Sequence, residues 1–269
     1  MTQNFQEITR QLRCRIISAA SNAGGGHIGG ALSIVDLIYY AYSEYMTYDS
    51  LDSNLESRDR FILSKGHGCL ALYAVLEHFS MLKKNELENF LKTDSRLPGH
   101  SEHFHVPHIE ITTGSLGHGV GVATGMAAAA KRKKTTWRVI CILGDGECNE
   151  GSVWESLLFA AQHRLDNLVI VIDSNKLESL DLTENILGIQ PLSEKLSAFG
   201  LDVMEINGHD YTEIRKAFER QPMGKPLAIV ANTVKGKGVS FMENVPKWHY
   251  RSPTPEELEN ALNELKSHA

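Results

Sequence analysis

Apolar residues recur at Phe5, Ile8, Leu12 and Ile16, so the spacing predicts that the chain opens on an amphipathic helix. That helix runs into AGGGHIGGA (residues 23–31), whose glycines predict a flexible connection. Ser33, with Asp36 three residues on, has the form of a helix cap ahead of the apolar face in IVDLIYYAYSEY (34–45). The short run FIL (61–63) reads as a strand that leads through SKGHG into a helix, CLALYAVLEHF (69–79). From Thr93 to Pro107 the chain turns polar and holds no periodicity, which predicts a long loop of the kind that carries function. Beyond Arg138 the alternation is regular. Strands are predicted at 138–143, 168–172, 202–206 and 227–234, and helices from about Ser152, near Leu192 to Phe199 and from Tyr211 to Phe218. Thr254, Pro255 and Glu257 supply the N-cap, first position and capping box of a final helix.

Helices interposed between apolar strands imply parallel crossovers, hence an α/β fold with one doubly wound parallel sheet. No repeat, low-complexity tract or linker divides residues 1–269, so a single domain is expected. A hydrophobic content of 42% is enough for a substantial core, and disorder is not the expectation. The net charge of -6 is spread without a basic stripe, which argues against a nucleic-acid partner. Glu7 and its polar neighbours interrupt any signal-like stretch, and nowhere do ~18 apolar residues run together. A soluble, cytoplasmic protein with no membrane partner is expected. Cys14, Cys69, Cys141 and Cys148 show no paired spacing and read as reduced, mostly core-filling residues.

Two of the apolar strands stop at aspartates. Ligands of open parallel sheets sit beyond the carboxyl ends of the strands, and Asp145 and Asn175 fall just past two successive ends, thirty positions apart. That interval is one strand–helix–strand unit. A carboxylate, an amide oxygen and a nearby carbonyl such as that of Leu177 are hard donors suited to Mg²⁺ or Ca²⁺. Magnesium takes ~6 ligands and readily accepts phosphate oxygens, so such a site invites a diphosphate. Gly144 and Gly146 allow close backbone approach, and a helix starting near Gly151 and Ser152 can direct N–H groups at the anion. No GxxxxGK[ST] occurs, and GDGECN lacks the third glycine of a dinucleotide loop. Asp173 is the one residue that competes for a ribose-binding role.

GDGECNEG followed by DSNK resembles the thiamine-diphosphate motif in its transketolase form. GGGHIGGALS, LSKGHG, LPGHSE, TTGSLGHGVGVATGMA and VKGKGVSFMENVPKWH stand in the order found in the amino-terminal half of transketolases, so the resemblance spans nearly the whole chain. It implies that Asp145, Asn175 and the Leu177 carbonyl bind the metal, with Gly146 and the Glu147 amide against the diphosphate. His67 and His249 are implied at the diphosphate or its entrance, and Gly114, Ser115 and Leu116 near the aminopyrimidine. His27, His67 and His100 are implied in the substrate channel, where imidazoles hydrogen-bond sugar hydroxyls and relay protons. Glu150 is implied at the junction of two cofactor halves, in a carboxylate network. Tyr250, His118 and Ser115 depart from the glycine, glutamine and proline common at those positions, which leaves the substrate open.

The remaining histidines read as structural. His78, His163 and His268 fall on helices, and His103, His105 and His108 read as solvated loop residues, since zinc on so variable a spacing without cysteine is not expected. Gly119, Gly121 and Gly125 read as close-packing positions at a helix start.

In the family the glutamate that activates the pyrimidine comes from a second doubly wound domain. With every predicted strand in one sheet, no room remains for another domain of ~150 residues. The resemblance thus implies the amino-terminal subunit of a split transketolase, transferring a two-carbon ketol unit from a ketose phosphate to an aldose. Its partner would be a carboxy-terminal subunit with the pyrimidine-binding domain, in a symmetric heterotetramer. The competing expectations are a cofactor subunit of the 2-oxo acid dehydrogenase or 1-deoxyxylulose-5-phosphate synthase type, and a non-catalytic thiamine-diphosphate-binding regulator.

Overall fold

A computed structural model describes residues 2–267. Five strands, β1 (Arg60–Leu63), β2 (Val139–Gly144), β3 (Leu168–Ser174), β4 (Asp202–Asn207) and β5 (Leu227–Asn232), form one sheet in the order β1-β2-β3-β5-β4. Every pairing is parallel. The three central strands are apolar up to their carboxyl ends because both faces are covered. Ile140, Ile142, Val169, Val171, Ile229 and Ala231 face one core. Their sequence neighbours Cys141, Leu143, Ile170, Ile172, Ala228 and Val230 face the other, as the two-residue period of a strand requires.

On the first face lie α1 (Thr2–Asn22), α2 (Ile28–Tyr40), α3 (Cys69–His78), α8 (Tyr211–Phe218) and α9 (Pro255–Ser267), and on the second α4 (His118–Lys133), α5 (Gly151–Gln162) and α7 (Leu192–Ala198). A short α6 (Thr183–Leu187), absent from the periodicity, follows β3. The predicted doubly wound parallel sheet is therefore the observed one. The capping box of α9 also forms: Thr254 Oγ1 accepts from the Glu257 amide at 3.2 Å, and Glu257 returns a carboxylate to the Thr254 amide at 2.8 Å. His268 lies outside the described residues.

Two expectations about α2 fail. The helix begins at Ile28, so Ser33 sits in its interior, and Gly29 and Gly30 belong to its first turn instead of a flexible link. Packing explains the difference. A Cβ on Gly29 would stand 3.0 Å from the Trp248 carbonyl oxygen, so the helix start is pressed against the segment after β5, and Ser33 Oγ turns to Gly30 O (3.0 Å) and Asp173 (2.8 Å). Gly119 does let α4 approach β1, since a Cβ there would meet Ser64 at 2.5 Å, and Gly121 faces Ser156. Gly125 meets nothing within 4 Å and is no packing position.

Candidate cofactor and metal site

Asp145 follows the last residue of β2 and Asn175 the last of β3, so the sheet delivers both to its carboxyl edge. Both line a cavity of about 240 Å³ with Leu177, Gly144, Gly146 and Glu147. The loops opposite contribute His27, His67, His100, Gly114, Leu116 and His249. Twelve of the fourteen residues singled out in the sequence thus share one cavity wall. Ser115 and Glu150 are exposed and stand outside it. Glu150 instead precedes α5, with its Cβ 2.7 Å from where a side chain on Gly117 would begin. The start of α5 at Gly151 is likewise outside the lining, because the Gly146–Asn149 turn intervenes.

The oxygen donors are held by the backbone. Asp145 Oδ1 accepts from the Gly146 amide at 2.8 Å and Oδ2 from the Lys176 amide at 2.6 Å; Asn175 Oδ1 accepts from Leu177 N at 3.0 Å. Each keeps lone-pair capacity for a cation. Burial, and next the charge of Asp173, push the Asp145 carboxyl up to about 6, which marks a carboxylate short of positive charge. Glu147 plays a different part: its buried side chain accepts from Ser64 Oγ, Gly117 N (2.8 Å) and Gly144 N (3.1 Å), and so ties the Gly144–Gly146 turn to the loop bearing Gly114 and Leu116. A Cβ on Gly144 would meet nothing within 4 Å, so open space lies beside the donors. The set fits a hard divalent ion and a diphosphate.

Four imidazoles cluster across the cavity, with His27 at the centre: its ring lies 5.3, 5.6 and 5.2 Å from those of His67, His100 and His249. Burial is the main reason that His27 is held down to about 3 and His249 to about 4; His100 and His249 add repulsion at His27, and Lys235 and Lys65 at both. Burial likewise holds His67 far below the usual imidazole range. These three rings are therefore neutral donors and acceptors near neutral pH. His100 reaches them because the Tyr73 hydroxyl gathers the long loop, donating to Pro98 O (3.1 Å) and His100 O (3.0 Å). Two of the other loop histidines are spent elsewhere, His103 on Ile109 O and His105 on Glu102.

Two lysines have no counterpart among the residues singled out by pattern or motif. Lys65, 2% exposed, pairs with Asp173 at 2.5 Å, and Lys235 places Nζ 3.1 Å from the Leu177 carbonyl and 2.7 Å from that of Glu178. Burial, then the charge of Lys65, bring Lys235 down to about 8. Their signal was present: each is a lysine followed by a glycine, just after an apolar strand. Asp173 cannot grip a ribose, because Lys65, Ser33, Thr233 and Asn175 already fill a carboxylate with no exposed surface.

A parallel sheet with oxygen donors at two adjacent carboxyl ends and a cationic, glycine-lined wall defines an α/β protein of the thiamine-diphosphate-binding fold. The family model for the transketolase thiamine diphosphate binding domain matches residues 4–265, and the chain belongs to that family. It is 41% identical to one of the subunits of the apulose-4-phosphate transketolase of Actinobacillus succinogenes, over 93% of this chain and 91% of that one. It is 37% identical to the 6-deoxy-6-sulfo-D-fructose transketolase subunit SqwG of a Clostridium species, over 98% and 96%. The solved transketolase of Campylobacter jejuni superposes with a TM-score of 0.93 at 31% identity, covering 99% of this chain and 43% of that one, so the chain spans about two-fifths of that enzyme.

Proposed function

We propose that this single-domain chain is the cofactor- and metal-binding half of a two-chain transketolase that moves a two-carbon ketol unit from an anionic ketose to an aldose. The observation that carries this is the convergence, in one cavity, of the Asp145, Asn175 and Leu177 oxygens with four clustered imidazoles. Asp145, Asn175 and the Leu177 carbonyl hold Mg²⁺ or Ca²⁺, and Gly146, the Glu147 amide and Lys235 face the diphosphate. Thiamine diphosphate, when bound, would supply a nucleophilic carbon and an electron sink for carbon–carbon cleavage. The chain's own residues do the rest of the work on this side of the site. His27, His67, His100 and His249 receive sugar hydroxyls and the protons they exchange, and Gly114 and Leu116, which line the cavity where Ser115 does not, bed the aminopyrimidine.

A carboxy-terminal subunit with a pyrimidine-binding domain supplies the activating glutamate, with Glu150 at the junction of two such pairs in a symmetric heterotetramer. The relatives are named for unlike ketoses, one bearing phosphate and one sulfonate, which supports an anionic ketose without fixing the anion. Mixing the chain with its partner, thiamine diphosphate and Mg²⁺, and following cleavage of a panel of ketose phosphates and sulfonates, tests the proposal. Turnover is expected only with both chains present. No cleavage of any donor, despite a formed complex, refutes it.

A further inference from the structure

The turn that carries Lys235 out of β5 is fastened on both sides of that lysine. Before it, the Val234 amide donates to Nε2 of His209 at 2.9 Å. After it, the Lys237 carbonyl accepts from Nε of Arg13 at 3.1 Å. Both fasteners lead back to one carboxylate, Asp36, which is buried in the middle of α2. Its Oδ2 meets Nδ1 of His209 at 2.6 Å, and its two oxygens take the Arg13 guanidinium at 3.0 and 2.5 Å. An imidazole that accepts at Nε2 carries its proton on Nδ1, so the Asp36 carboxylate selects the tautomer that Val234 requires. Between the two anchors the turn has little slack. Gly236 donates to Gly29 O at 3.0 Å, and with φ at +84° a Cβ there would stand 2.3 Å from Met242 O. Arg13, Asp36 and His209 themselves stay outside the cavity lining.

We propose that Arg13, Asp36 and His209 form a positioning triad that sets the Lys235 ammonium against the Leu177 carbonyl, at the edge of the metal and diphosphate site. Its consequence for cofactor binding rests on the function proposed above; the placement of Lys235 does not. The triad joins α1, α2 and the connection from β4 to α8 to a single turn, so a change far from the cavity is felt at one ammonium group.

His209→Asn keeps a donor for Asp36 at the Nδ1 position but removes the acceptor for Val234, whereas His209→Gln returns an oxygen near the Nε2 position. The labelling rate of the Lys235 amine by acetic anhydride, read by mass spectrometry in the cofactor-free chain, should rise in the Asn variant and return toward wild type in the Gln variant. The calorimetric Kd for thiamine diphosphate with Mg²⁺, measured on the two-chain complex, should weaken about tenfold with Asn and recover with Gln. Equal labelling in all three proteins, or Asn and Gln variants that behave alike, overturns the triad. Should His209→Asn fail to fold, Arg13→Lys, which keeps a charge at Asp36 but loses the bond to Lys237 O, must expose Lys235 in its place; protection as in wild type overturns the proposal. A wild-type complex that binds no thiamine diphosphate, while labelling still follows the Asn and Gln pattern, refutes the cofactor assignment and supports the positioning role.

Discussion

His100 and His27 share a cavity but not the same grip on it. His100 hangs from a loop gathered by Tyr73, while Lys235 bonds the Leu177 carbonyl beside the metal donors, so His100→Ala should slow turnover while sparing cofactor affinity. Titration of cofactor against the variant complex checks this; a collapse in affinity would make the ring a structural element. The neutral imidazoles also set an acid limit. His27 and His249 are held to about 3 and about 4 against 6.5 for a free ring, chiefly by burial. Below pH ~6.5 the unfolded chain takes protons that the folded chain refuses, so stability falls as pH drops from there toward 4. Asp145, raised from 3.8 to about 6, works in the opposite sense, because the folded chain binds its proton first. The urea midpoint of the double variant His27→Gln/His249→Gln should therefore fall less between pH 7 and pH 5 than that of wild type, and that of Asp145→Asn should fall more.

Among the elements, α4 offers two glycines of opposite meaning. Gly119→Ala drives a Cβ to within 2.7 Å of the Ser64 backbone, whose side chain holds Glu147, so α4 must lift from β1 and the Gly144–Gly146 turn loosens with it. Gly125→Ala enters open space inside a helix and should stabilise the isolated chain by about 0.5–1 kcal/mol. Thermal unfolding of the two variants should move in opposite directions. The pattern around Gly119, Gly121 and Gly125 announced a helix start, but it did not say which glycine touches a neighbour, since that depends on the rotation of α4 against β1. The same holds for α2. Ser33 and Asp36 have a cap's spacing, yet packing against Trp248 starts the helix six residues earlier, with His27 at the cap, and turns both side chains to partners distant in sequence.

In the whole molecule, the metal donors, the imidazoles and the lysines reach one cavity from loops spread over more than two hundred residues. A divalent ion held, as proposed, by Asp145, Asn175 and Leu177 would relieve a buried carboxylate and anchor the diphosphate, so chelation should release cofactor and metal as one event. Calorimetry on Asp145→Ala should show the same loss of metal-dependent cofactor binding, and an unchanged affinity would refute the metal assignment. Where the described residues are concerned, no helix is long and apolar enough to cross a membrane.

Local pattern alone determined the strands, most helices and the two carboxyl ends where Asp145 and Asn175 stand, because strand period, helix period and caps are written in near neighbours. Motif order singled out the histidines for the same reason: each sits in a short run, such as GGGHIGG for His27 or PKWH for His249, whose members are adjacent in sequence. Only the folded chain decided that Lys65 neutralises Asp173 and that Asp36, through Arg13 and His209, fastens the turn of Lys235. Those pairings join residues 23 to 224 positions apart, and a buried charge needs its partner close by, a condition that only the assembled core meets.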